Sequence, residues 1–400
     1  MSLSEPVAAL EIGTTRTVIA IGEPLGGGRI KVSALSAIPS AGVRKSQIVD
    51  ISQARYSVQS VLRNLADQSD YSIAQAYLAV SGPQIRTKYV NAQASVEGGV
   101  VHDEDLQVVD ARSEEASLAT DRHPIEISHI SYSLDDMDNI SSPKGMSGRL
   151  LTLRSLCIHG SAQRIADART AAHQAKLELP EVAFAGTCAA AAVLTPQAKK
   201  DGALVIDLGG GTTSYTAWVD GKMIYADVVG VGGDHVTNDI RVAFSVSKTQ
   251  AEQLKLNDAS AIISAEDANA RVNVPSPSPG FKAATISRRA LNTVVNARLL
   301  ELFDIIREQL DTEGVLHRLN AGVFLTGGGS ALPGAVELAA SVFGCNVRVG
   351  SLVSAIEGLE REPHPAACAV ITGLLLLAQQ DETDSSGILS TLKNLFSRSK

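Results

Sequence analysis

Four hundred residues are more than one hydrophobic core usually serves, so two or more domains are expected. An apolar share of 44% against 20% charged residues excludes a disordered chain. A net charge of −8 and 4% aromatics, with one tryptophan (Trp218), exclude nucleic acid as the main partner.

Taken in chain order, Met1–Pro6 carries an acid and no basic stretch ahead of an apolar run, so no signal peptide is expected. Val7–Leu10 leads as a strand into Glu11, then Ile12-Gly13-Thr14-Thr15, then a second strand Thr17–Ile21, a turn at Glu23–Gly28 and a third strand Ile30–Leu35. Ile51–Asp67 has helical apolar spacing with Asp50 as its N-cap. Tyr77–Ser81 is a short buried strand that ends at Gly82-Pro83. From Pro83 to about Leu153 the chain turns polar, with strands at Gln84–Val90, Glu126–Leu134 and Leu150–His159 and a helix near Asp103–Leu118. This reads as a small inserted α+β subdomain. Ala162–Ala175 is a helix, and the apolar runs Val182–Leu194 and Ala366–Ala378 are too short to cross a bilayer and read as core helices.

Leu204–Leu208, with Asp207 near its end, then repeats the opening design. A strand ends in a carboxylate, Gly209-Gly210-Gly211 turn the chain, and Thr212, Thr213 and Ser214 begin the next strand. The turn at Asp220-Gly221 and Lys222–Val229 complete a second three-strand meander. Glycines at a strand end leave a row of amide N–H groups able to close on an anion such as phosphate. Asp207 could hold a water on a phosphate-bound Mg²⁺. An ordinary hairpin with a glycine turn has the same composition, and the repetition is what favours the phosphate reading. Two such units half a chain apart imply a duplicated α/β fold with a ligand cleft between them.

Gly230–Asp234, including Gly232 and Gly233, precede a helix expected to start near Thr237, and Lys248–Leu256 follows with Glu252 and Lys255. Pro275–Gly280 cannot be helix. Ser287 caps a long helix to about Leu310 with Leu291, Val295, Leu299, Leu302, Phe303 and Ile306 in its buried stripe. Ala321–Thr326 is a buried strand delivering Gly327-Gly328-Gly329, and Leu332-Pro333-Gly334 opens a helix. The cysteines Cys157, Cys188, Cys345 and Cys368 lack metal-ligand spacing and read as reduced thiols.

Residues 379–387 read as a polar linker. Beyond it Ile388, Leu389, Leu392, Leu395 and Phe396 share one face of a short helix, with Lys393, Arg398 and Lys400 as its cations. A helix this short needs a surface to fold on. An anionic membrane interface suits its charge and apolar face, and packing on the protein body or a neighbouring subunit is the alternative.

Taken together, the Glu11–Thr15 turn, Val80–Arg86, Gly145-Met146-Ser147-Gly148, Asp207–Thr213, Gly232–Ile240, Leu325–Ser330 and the detached tail closely resemble the bacterial actin-like FtsA cell-division family over essentially the whole chain. The resemblance implies an actin-like fold (the actin, Hsp70 and sugar-kinase superfamily) with an FtsA-type inserted subdomain and a C-terminal amphipathic helix. It implies a first core subdomain of residues 5–81, 161–200 and 364–380, an insertion at 82–160, and a second core of 201–236 and 315–363. A fourth, partner-docking subdomain would be 237–314, with a linker at 381–387 and the membrane helix at 388–400.

ATP and Mg²⁺ are expected between the two turns. Gly13, Thr14, Thr15 and Arg16 would face Asp207, Gly209–Thr213, Gly232 and Gly233 across them. Gly327–Gly329 would lie near the nucleoside, Glu252 and Lys255 near ribose and base, with Glu11 and Asp207 reaching Mg²⁺ through water. The resemblance further implies self-polymerisation, tethering of FtsZ filaments to the cytoplasmic face of the membrane at midcell, and recruitment of later division proteins. The FtsZ tail would dock near Arg288, Arg289 and Arg298, which otherwise simply solvate the long helix.

Three departures stand out. Glu11 replaces a usual Asp, Phe184-Ala185-Gly186 replaces a usual Leu-Glu-Pro near the cleft, and the linker is short. The first two point to at most weak ATPase activity. The competing readings are a PilM-like adaptor of pilus assembly and a phosphotransferase of the sugar-kinase class, for which no catalytic Asp motif stands out.

Overall fold

The computed structural model describes residues 5–117, 121–275 and 284–383. Its frame is two sheets of matching design. In the first, Val7–Ile12, Arg16–Gly26 and Arg29–Pro39 form an antiparallel meander, and Tyr77–Val80 and Val182–Phe184 extend it in parallel from Val7–Ile12. In the second, Ala203–Leu208, Thr213–Val219 and Lys222–Val229 form the meander, and Gly322–Thr326 and Val347–Val349 extend it in parallel. The registers coincide as well. Glu11 lies opposite Val18, and Asp207 lies opposite Ser214. Ala203–Leu208 and Gly322–Thr326 are buried along their whole length, as strands covered on both faces require.

Between the sheets run two apolar helices, Ala185–Val193 and Ala369–Thr383. They cross so closely that a Cβ on Gly373 would stand 1.8 Å from the Cys188 carbonyl oxygen, so only glycine fits there. Of the two apolar runs of the sequence, Ala366–Ala378 becomes core helix from Ala369, whereas Val182–Leu194 divides into the strand Val182–Phe184 and the helix Ala185–Val193. Among the described residues no helix is long and apolar enough to cross a membrane. Cys157, Cys188 and Cys368 are buried and all four cysteines are free.

The insertion is an antiparallel sheet ordered Arg86–Ser95, Leu150–Ser161, Arg122–Leu134, Met137–Ile140, with the helix Asp103–Ser117 on one face. Its own core includes Ala92, Val109, Leu134, Leu151 and Leu153. It leans on the second sheet. The Tyr89 hydroxyl donates to the Ile224 carbonyl (3.0 Å), Ser128 Oγ donates to the Met223 carbonyl (3.1 Å) and Lys222 Nζ donates to the Ile130 carbonyl (2.8 Å). Helices Gly233–Phe244, Lys248–Asn257 and Arg288–Thr312 pack together beyond the second sheet. Ser287 caps the last, its Oγ accepting from the Ala290 N–H, and Asp50 caps Ile51–Ala66 in the same way through Gln53.

The structure departs from the sequence reading at four places. The helix expected near Thr237 begins at Gly233, because the Gly232 N–H donates to His235 Nδ1 (3.1 Å) and seals the helix start four residues early. Residues 379–383, read as linker, continue the helix Ala369–Thr383, since nothing before Gly387 breaks it. Ile356–Glu357, grouped with the second core, pair with Arg29–Pro39 of the first sheet. A hairpin, Val43–Arg44 with Gln47–Ile48, occupies a stretch to which the sequence assigns no element. Residues 276–280 of the proline-rich loop and 388–400 of the tail lie outside the described residues.

Candidate functional site

The two meanders present their first turns to each other, and the turns close identically. The Gly13 N–H donates to the Arg16 carbonyl and the Gly209 N–H to the Thr212 carbonyl, both at 3.0 Å. They also touch. A Cβ on Gly210 would stand 2.3 Å from Thr15 Cγ2, and one on Gly211 would stand 2.3 Å from Thr14 Oγ1. Side chains on one turn occupy the room that glycines leave on the other. Above them opens a cavity of about 590 Å³, lined by Gly13–Arg16, Asp207, Gly209, Gly210, Thr212, Gly232, Gly233, Glu252, Lys255 and Gly327–Gly329. Most of the residues singled out in the sequence therefore converge on one space.

Two carboxylates, Glu11 and Asp207, line it. Burial pushes Glu11 up to about 7, repulsion from Asp207 adds to the rise, and Arg16 opposes it. Asp207 is raised to about 6 by burial, held back by the Thr326 hydroxyl, which donates to Oδ1 (3.2 Å), and by Arg16. The part of Glu11 that remains accessible opens into this cavity. Two partly protonated acids side by side suit a nearby cation, which would let both ionise. Among the described residues no cluster of three His, Cys, Asp or Glu could grip a metal directly. The donor set therefore fits a hydrated Mg²⁺ carried by phosphates better than a protein-caged ion.

Other backbone at the cavity is equally glycine-dependent. Gly327 has φ +77°, and a Cβ there would stand 2.7 Å from Asp207 Oδ1. Gly233 and Asp234 donate their N–H groups to the Gly209 and Gly210 carbonyls at 2.9 and 2.7 Å, fastening the start of Gly233–Phe244 to the second turn. Glu252 and Lys255 pair at 2.8 Å, and Thr237 Oγ1 both donates to Glu252 (2.5 Å) and accepts from Lys255 (2.9 Å).

Some expected residues serve other purposes. Thr213 is fully buried and donates to the Val231 carbonyl (2.8 Å), so it shapes the Gly230–Gly233 turn and does not reach the cavity. Gly211 is covered by Thr14. Arg298 is held by Asp239 at 2.6 Å and by Glu301, Arg288 lies 3.9 Å from Asp258, and Arg289 is exposed. Ile388, Leu389, Leu392, Lys393, Leu395, Phe396 and Arg398 lie outside the described residues.

The sequence reading missed an apolar wall made by Leu256, Leu299, Leu302, Leu332 and Pro333, and the residues Ser46, Ser81, Glu362 and His364. Leu299 and Leu302 carried a signal only as helix core. Ala185 lines the cavity where the resemblance places a carboxylate.

A family model described as cell division protein FtsA matches residues 204–370, and a model for the SHS2 domain inserted in FtsA matches residues 82–159, together more than half of the chain. The cell division protein FtsA of Pseudomonas aeruginosa is 28% identical over 378 residues, covering 94% of this chain and 90% of its own. The protein of the same name from Escherichia coli K12 is 27% identical, covering 92% and 89%, and that of Bacillus subtilis 168 is 27% identical, covering 88% and 80%. Among solved structures, a PilM–PilN type IV pilus biogenesis complex aligns with a TM-score of 0.63 at 15% identity (92% and 97% covered). MreB5 of Spiroplasma citri bound to ADP aligns at 0.54 and 14% identity (95% and 98% covered). These likenesses establish the actin-like fold.

Proposed function

The chain belongs to the FtsA cell-division family, and we propose that it is an ATP-dependent actin-like scaffold of the division machinery. In this reading it binds ATP with Mg²⁺ in the cleft, polymerises, and tethers FtsZ filaments to the cytoplasmic face of the membrane, where later division proteins join. The observation that carries the nucleotide part is the pair of identically closed turns facing each other over one cavity. The solved MreB5 structures described as bound to ADP and to AMPPNP support a nucleotide in this fold.

The chain's own groups divide the work. The amides of Gly13–Thr15 and Gly209–Gly210 would cradle phosphates, Glu11 and Asp207 would hold waters of the Mg²⁺, and that ion would neutralise phosphate charge. Gly327–Gly329 with Leu332 and Pro333 would flank the nucleoside, and Glu252 and Lys255 the ribose and base. Ala185 offers no carboxylate to align an attacking water, which supports slow turnover and a conformational role for the bound nucleotide.

Of the assigned segments, 82–160 is proposed as the polymerisation module, 237–314 as the dock of the FtsZ tail and 388–400 as the membrane helix. Full-length protein is expected to bind ATP by titration calorimetry and to co-sediment with anionic liposomes. Removal of residues 387–400 should abolish the second and spare the first. A chain that sediments equally without its tail overturns the tether. Capture by a pilus-protein peptide in place of the FtsZ tail would favour a pilus adaptor.

A further inference from the structure

The hairpin Val43–Ile48 turns through Lys45 and Ser46, whose φ angles are +50° and +54°. A two-residue turn of this kind needs left-handed backbone at both central positions, which Asn-Gly supplies at least cost and Lys-Ser does not. A strained tip persists only where its surroundings hold it. Here the Ser46 N–H donates to Thr14 Oγ1 at 2.8 Å, and Ser46 Oγ lies 3.0 Å from Thr212 Oγ1. Thr14 belongs to the first turn and Thr212 to the second. One residue outside both turns therefore bonds to each of them, and it lines the cavity. The hairpin is braced from behind by Gln47, which donates to Gln84 (2.8 Å), and by Arg164, which donates to the Ile48 carbonyl (3.4 Å).

We propose that Ser46 is a positioning residue of the nucleotide cleft, a clasp that sets the spacing of the two phosphate turns and aims their hydroxyls. The inference rests on the nucleotide reading above. Its chemistry follows from hydroxyl valence. Because Thr14 Oγ1 accepts the Ser46 N–H, its own hydrogen is free to donate, and a phosphate oxygen is the acceptor the cavity would bring. The Ser46 hydroxyl bridges to Thr212 Oγ1, either oxygen being able to donate, and Ser81 Oγ lies 3.4 Å from the same atom, so that side chain is held beside the second turn. Neither hydroxyl then has to be ordered when the anion arrives, which is where a pre-set site gains affinity.

The test uses the full chain, ATP with Mg²⁺ as the probe, and titration calorimetry with thermal melts. Ser46→Ala keeps the N–H bond and loses the bridge, and should weaken ATP binding about fivefold, the scale of one hydrogen bond. Thr212→Val removes the bridge together with a hydroxyl that lines the cavity, and should weaken binding at least as much. The double variant should be no weaker than Thr212→Val alone, because that variant has already lost the bridge. Ser46→Gly should lose the same affinity while melting no lower than the unaltered protein, since glycine relieves the left-handed backbone. ATP affinity within twofold of the unaltered chain in Ser46→Ala, or effects that multiply in the double variant, would overturn the clasp alone. Failure of the unaltered chain to bind ATP would overturn the nucleotide reading and the clasp with it.

Discussion

The turns Glu11–Thr17 and Asp207–Thr213 share a backbone and differ most at the three positions after their first glycine. Each closes with a 3.0 Å bond from a glycine N–H to the carbonyl three residues on, and each follows a strand in the same register. The first turn then carries Thr14 and Thr15 where the second carries Gly210 and Gly211. Because the turns meet face to face, this is complementarity: one supplies bulk and hydroxyls, the other supplies room. Two identical turns would either clash or leave a gap. The repeated backbone is the scaffold, and the difference at two positions lets its halves close.

The largest way to break that relation is Gly211→Val. Its Cβ falls 2.3 Å from Thr14 Oγ1, so Thr14 and the turn that carries it must shift, and we expect a loss of about 3 kcal/mol in denaturant unfolding together with loss of ATP binding. Combining it with Thr14→Gly should restore part of the stability. A null effect of Gly211→Val would mean that the turns do not touch in solution.

Next comes the acid pair. Asp207→Asn is expected to lower ATP affinity in Mg²⁺ roughly tenfold while leaving Mg²⁺-free binding nearly unchanged, since a carboxylate that orders a water around the ion matters only when the ion is present. Equal losses with and without Mg²⁺ would remove Asp207 from the ion's surroundings.

The same pair gives the ligand-free protein a pH dependence. Glu11 is raised from 4.5 to about 7 and Asp207 from 3.8 to about 6, so the folded state holds protons that the unfolded state has released. Their contribution to stability is full below the unfolded values and is lost as pH rises through the folded ones. Melting temperature should therefore fall from about pH 4.5 to pH 7 on this account. Glu11→Gln should flatten the upper part of that fall. A Glu11→Gln profile parallel to that of the unaltered protein would exclude Glu11 as its source.

The smallest test separates scaffold from site. Thr213 and Thr17 occupy matching positions, and each spends its hydroxyl inside the protein, on the Val231 carbonyl and on Ser40 Oγ at 2.8 Å. Either change to Val should cost about 1 kcal/mol of stability and leave ATP affinity within twofold. A large affinity loss from Thr213→Val would return Thr213 to the binding set.

What the sequence made legible was whatever repeats or breaks regular structure. An acid at a strand end followed by glycines, met twice, exposed both turns and their meanders. The Ala366–Ala378 run exposed a core helix, and Ser287 and Asp50 announced their helices. The hairpin at Val43–Ile48 stayed hidden because Lys45-Ser46 lacks the glycine or asparagine that marks such turns. Leu256, Leu299 and Leu332 stayed hidden because a leucine facing a cavity has the same spacing as one facing a core. The early start at Gly233 was masked by glycines that read as loop and act as a cap through His235.

The helix Ala369–Thr383 has one more property. Just ahead of it, the Ala366 carbonyl accepts from the Gly327 N–H (3.0 Å) and the Ala367 carbonyl from Arg16 (3.4 Å), so its root is stitched to both halves of the molecule. Its 15 residues form a rod about 22 Å long that leads from the cleft wall towards the C-terminus. The tight crossing at Gly373 lies along that rod, so the rod's orientation is set at two places, by the joint of the two halves at its root and by the Cys188 backbone part-way along it.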